Sequence, residues 1–177
     1  MNYTGKGDKG KSNLINPKNR ITKSSPIFEV LGSLDELNSY LGLCLVEAKN
    51  FPKIQEIIVN IQNQLYISQA YFAEAKIDIP ADLLTKTEKT INQLSQSLEP
   101  KRVFVLSGGS RLSALFDVAR TLARRSERVV VQLQDSQNKP IDSLILAYLN
   151  RLSSLLYVLA RLANHLNGQT ELAAKYN

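Results

Sequence analysis

The chain has 177 residues, 44% of them apolar and 21% charged, an ordinary globular composition with enough length for one domain and a sizeable core. No apolar run reaches membrane-spanning length and the first 13 residues hold no apolar signal core, so the sequence predicts a cytoplasmic protein without a membrane segment. The formal net charge of +6 suits anionic partners, while a single cysteine, Cys44, excludes an internal disulfide and a single histidine, His165, argues against a transition-metal site.

Residues 1–25 are rich in Gly, Lys, Ser and Asn and lack helical periodicity. Thr4-Gly5-Lys6-Gly7-Asp8-Lys9-Gly10 is a glycine-spaced basic loop whose amides and lysines can cradle phosphates, although it lacks the P-loop frame. The domain reading is therefore a flexible nucleotide-binding segment over 1–25 and a helical domain over 26–177.

Ser33 followed by Glu36 reads as a capping box, which predicts a first helix from 33 to about 50 with Leu34, Leu37, Leu41 and Leu45 inward. Pro52 opens a second helix to about 76, with Ile54, Ile57, Ile58, Ile61, Leu65 and Tyr66 at helical steps. A third runs between Pro80 and Pro100. The apolar run 103–106 then enters Ser107-Gly108-Gly109-Ser110, where the glycines permit a tight turn and a close backbone approach to a ligand, and Ser110 can cap a fourth helix to about 134. The fifth spans 141 to about 167 and is ended by Gly168. Five long helices with short connections predict an all-α five-helix bundle.

On the fourth helix Asp117, Arg120, Arg124 and Glu127 share a face at steps of three and four, with Arg125 and Arg128 beside them. Spacing alone favours a solvated face laced with ion pairs. Arginine is nevertheless the side chain best suited to bidentate recognition of phosphate. The interleaved acids and the lack of any recognisable module speak against nucleic acid.

Four segments together resemble the PduO-type ATP:cob(I)alamin adenosyltransferases. They are the glycine loop, Gly32-Ser33-Leu34-Asp35-Glu36-Leu37-Asn38-Ser39, the stretch from Phe104 through Arg128, and Leu149-Asn150-Arg151-Leu152-Ser153. The resemblance implies a cobalamin adenosyltransferase-like bundle, assembled as a homotrimer with active sites between subunits, that moves the 5′-deoxyadenosyl group of ATP onto cob(I)alamin and releases triphosphate with Mg²⁺. By the same resemblance Thr4, Gly5, Gly7, Asp8, Lys9 and Lys23 wrap the triphosphate, Arg124 contacts it with Glu127 and Arg128 in the same site, and Asn150 meets the nucleoside. Asp35 and Arg120 correspond to an intersubunit salt bridge near the corrinoid, and Phe104 to the aromatic that keeps cobalamin without its lower axial base. The implied partners are ATP, the corrinoid, further copies of the chain, a reductase and an adenosylcobalamin-dependent acceptor enzyme. A non-catalytic corrinoid and ATP carrier or sensor of the same fold is the alternative. The chain departs from the family pattern at Ser107, Asp117, Ser154, Ile27 and Leu31.

Overall fold

The computed structural model describes residues 3–15, 20–99, 103–137 and 140–176. A short antiparallel hairpin, β1 (Lys11–Ser12) with β2 (Ile21–Thr22), precedes five helices: α1 (Pro26–Glu47), α2 (Pro52–Phe72), α3 (Leu83–Ser95), α4 (Arg111–Gln137) and α5 (Ser143–Leu166). Contacts between helices run in the series α2, α1, α4, α5, α3. The expected all-α bundle is thus present, with α4 and α5 as its most intimate pair.

α5 is long and apolar enough to cross a bilayer. Its composition follows from its place between α3 and α4, where Ile145, Leu149, Leu152, Leu156 and Leu159 are fully buried. Each such side chain contributes about 1.5–3 kcal/mol on leaving water. Asp142 caps the helix by accepting from the Leu144 amide at 2.8 Å, a cap that the apolar periodicity does not reveal. Cys44 lies in the core, and burial pushes its thiol up to about 12, so it is a core side chain and no nucleophile at neutral pH.

The first helix starts about two turns before the expected capping box. Pro26 occupies its first turn, where a proline needs no amide partner, so Ser33 lies inside the helix. There the buried Ser33 hydroxyl donates to the Val30 carbonyl at 2.9 Å, and its own carbonyl accepts from the buried Ser126 hydroxyl of α4 at 3.0 Å. Small side chains at this crossing let α1 and α4 approach closely. Tyr66 also differs from expectation, being 61% exposed. It sits one residue, or 100° of helix, past Leu65, which takes the inward position.

α2 ends in a Schellman motif: the Glu74 amide donates to Tyr71 O at 3.1 Å and the Ala75 amide to Ala70 O at 2.9 Å. Glu74 has φ 62°, the left-handed conformation that this motif usually gives to glycine. Glu74→Gly is expected to stabilise the fold by roughly 1 kcal/mol, read as a higher urea midpoint. An unchanged or lower midpoint would show that the Glu74 side chain offsets the strain.

Candidate active site

The stretch that feeds α4 is extended over 103–106 and is not free-standing. The Leu106 amide donates to Leu172 O at 2.8 Å and the Ala174 amide to Phe104 O at 2.8 Å, forming a bridge between Val105 and Ala173. The chain then turns through Gly108 (φ 120°) and Gly109 (φ 94°). A Cβ on Gly109 would stand 2.5 Å from Asn164 Oδ1, so the close approach made here is to Asn164 of α5. The Asn164 side chain accepts from the Ser110 amide at 2.8 Å and donates to Gly108 O at 2.9 Å. Ser110 Oγ accepts from the Ser113 amide at 3.2 Å, as a helix cap does.

This arrangement lifts Phe104 onto the surface with 77% of its area exposed, so it takes no part in the core. It fronts an open cavity of about 560 Å³ whose walls include Arg120, Arg124, Asp117, Ser154 and Tyr157. Three of the residues selected from the sequence therefore meet in one place. Asp117 departs from the solvated-face expectation: it is 5% exposed, and its carboxylate pairs with buried Arg161 of α5 at 2.7 Å and lies 3.5 Å from Arg120 Nε. The buried Arg161 draws it inward, since an unpaired interior guanidinium is very costly. Asp117 and Ser154, two of the departures from the family pattern, both line this cavity.

One turn further along α4, Glu127 accepts from the Asn150 side chain at 2.8 Å, and Arg128 donates to the Arg124 carbonyl at 3.1 Å. Arg125 pairs with Glu36 of α1, which places neighbouring Asp35 on the same exposed flank. Asp35 makes no ion pair with Arg120 within the chain; the acid next to Arg120 is Asp117.

The remaining selected residues gather in the N-terminal loop. The Asp8 amide donates to Gly5 O at 3.2 Å, and the Lys23 amide to Gly10 O at 2.8 Å. The Lys23 ammonium lies over Gly7, where an added Cβ would stand 3.1 Å from Nζ. Thr4 Oγ1 accepts from the Lys6 amide at 3.4 Å. The base of this loop, through Leu14, Ile21 and Ser25, borders a separate cavity beside Leu133 and Gln137 near the end of α4. Arg124 and Leu133 are nine residues apart, about 14 Å along the helix. Within one chain the loop's base and the Phe104 cavity therefore lie at different levels of α4.

Arg161, Asn164 and Glu171 lie outside the four motifs that point to the site in the sequence. Arg161 and Asn164 do lie on the polar face of α5, and that periodicity is the one local signal available.

These features define a five-helix bundle with a cationic, aromatic-fronted half-site suited to an anionic and partly apolar ligand. The cobalamin adenosyltransferase family model matches residues 2–163. The chain is 36% identical over 170 residues to corrinoid adenosyltransferase PduO of Citrobacter freundii, covering 92% of this chain and 50% of that one. It is 34% identical over 173 residues to corrinoid adenosyltransferase of Bacillus subtilis, covering 94% and 88% respectively. The chain thus spans about half the length of some relatives and most of others. Its fold superposes with TM-score 0.90 on a phenylalanine-to-alanine variant of a PduO-type ATP:corrinoid adenosyltransferase from Lactobacillus reuteri complexed with cobalamin and ATP, at 28% identity over 99% of this chain and 100% of that one. An arginine-to-lysine variant of the Lactobacillus reuteri enzyme, complexed with ATP, gives TM-score 0.88 at 28% identity, covering 98% of this chain and 99% of that one. The chain belongs to the cobalamin adenosyltransferase family.

Proposed function

We propose that this chain transfers the 5′-deoxyadenosyl group of ATP to cob(I)alamin, forming adenosylcobalamin and releasing triphosphate. The observation that carries this reading is the meeting of exposed Phe104 with Arg120 and Arg124 in one open cavity. The substrate itself supplies the nucleophile. The cobalt electron pair forms a bond to C5′, the C5′–O bond breaks, and its electron pair leaves on the triphosphate. The chain's own task is to hold these atoms in line and neutralise the departing charge. Arg124, Arg128, Lys9 and Lys23 suit the triphosphate, with the amides around Gly5 and Gly7. Thr4 and Asp8 complete that loop, and Glu127 with Asn150 positions the nucleoside.

Mg²⁺ fits this donor set as an ion carried largely by phosphate and water. Mg²⁺ commonly keeps several waters and takes one or two protein carboxylates beside the phosphates. Asp8 is the nearest such carboxylate to the phosphate-binding lysines in sequence.

The working enzyme is a homotrimer in this reading. Supporting it, the cavity is open and far smaller than a corrinoid, Asp35 is exposed, and Leu43 and Val46 of α1 present 54% and 73% of their area to solvent. A neighbour's Asp35 would then reach Arg120. A reductase supplies cob(I)alamin and an adenosylcobalamin-dependent enzyme accepts the product.

The test is an adenosylation assay with ATP and chemically reduced cobalamin, following both the cobalt–carbon product and triphosphate. Binding of both ligands without product would favour the carrier alternative. In this reading the glycine-rich loop over 4–10, which carries no apolar side chain, closes on the nucleotide as it binds. Proteolytic nicking there should be suppressed by MgATP; equal cleavage with and without saturating MgATP would count against that closure.

A further inference from the structure

After α5, Gly168 (φ 62°) reverses the chain, and the segment 169–176 runs back past the end of the bundle to the strand that carries Phe104. Its two backbone hydrogen bonds, from Ala174 to Phe104 O and from Leu106 to Leu172 O, hold that strand on either side of Val105. Phe104 is largely exposed, so its backbone rather than packing around its ring sets where the ring stands.

The return segment is itself pinned. The Glu171 carboxylate forms an ion pair with Arg161, 2.7 Å from its Nη1, and accepts from Asn164 Nδ2 at 3.2 Å, and its side chain is 9% exposed. Arg161 is equally interior, pairs with Asp117 on its other side and lies 5.4 Å from the Tyr157 ring. Asp117 in turn stands beside Arg120. A continuous line of alternating charges, Arg120, Asp117, Arg161 and Glu171, therefore joins the cavity wall to the tail. Asn164 belongs to it as well, because the same amide grips the glycine turn and Glu171.

We propose that the C-terminal segment 169–176 is a positioning strap for Phe104 and that Glu171 is the residue that fastens it. The strap governs use of the corrinoid and not of ATP, a consequence that rests on the function proposed above. Deleting the Glu171 charge frees the tail, lets the 103–106 strand drift, and leaves the nucleotide loop untouched.

The chain contains no tryptophan, so Phe104→Trp installs a single fluorescent reporter at the position in question. In that background Glu171→Gln should lower the tryptophan anisotropy. Ala174→Pro, which removes the donor to Phe104 O without touching the buried charges, should do the same and guards against a folding artefact in the first variant. In the chain with Phe104 retained, both substitutions should raise KM for cob(I)alamin about tenfold while KM for ATP stays within about twofold. Anisotropy unchanged in both variants overturns the strap. A loosened reporter with unchanged corrinoid KM overturns its role in substrate use. If the unaltered chain forms no adenosylcobalamin, the proposed function fails, and the anisotropy comparison still decides whether the strap exists.

Discussion

Phe104→Ala is expected to abolish the four-coordinate Co(II) spectrum of bound cob(II)alamin in the presence of MgATP and to cut turnover starting from Co(II) about tenfold or more, equivalent to at least about 1.4 kcal/mol. An apolar ring standing in the cavity mouth can deny water or the lower axial base access to cobalt, and a methyl group cannot. With the lower face open, a fifth ligand stabilises Co(II) against reduction. ATP affinity should hardly change, because the lysines proposed to hold the phosphates lie on a different element. The structure also separates this outcome from a stability effect. A buried Phe→Ala costs about 3–5 kcal/mol, whereas Phe104 is 77% exposed and its truncation should stay within about 0.5 kcal/mol. A folded variant that keeps the four-coordinate signal and normal turnover would remove Phe104 from the proposed site.

Arg124→Ala is expected to lower kcat/KM for ATP by about 10²–10³-fold, the range seen when one preorganised donor to a developing charge is lost. The side chain is exposed, and none of the ion pairs among the described residues involves it. Its guanidinium is therefore available for phosphate without first breaking an internal pair. Folding should be unaffected, since the helix uses the Arg124 carbonyl, which accepts from Arg128, and alanine retains it. Arg124→Lys should recover only part of the loss, because an ammonium keeps the charge but not the planar fork. Unchanged ATP kinetics in a folded alanine variant would return Arg124 to an ordinary surface residue.

Much of this molecule follows from local rules, and those parts are readable without coordinates. Helical periodicity marks five helices because burial of a stripe repeats every three or four residues, and the cap by Ser110 and the stop at Gly168 are set by groups within one turn. The joint presence of the glycine loop, the Asp35 segment, the arginine helix and the Asn150 segment identifies the family for the same reason: each motif is contiguous. Even here a local rule misleads when two compete, as where Ser33 and Glu36 resemble a cap but Pro26 starts the helix earlier.

What only tertiary structure decides are the partnerships between distant residues. Asp117 reads as one more polar residue of a solvated face until Arg161, 44 positions away, draws it into the interior. Phe104 is indistinguishable by sequence from a core phenylalanine. It stands in solvent beside a tail that bonds its backbone, through hydrogen bonds that carry no side-chain signature. Glu171 lies beyond the last periodic helix, in a stretch without pattern, and its role exists only once the chain has folded back onto Arg161 and Asn164. Periodicity reports which face of a helix is buried. It carries no information about which charge, arriving from another element, will meet that face.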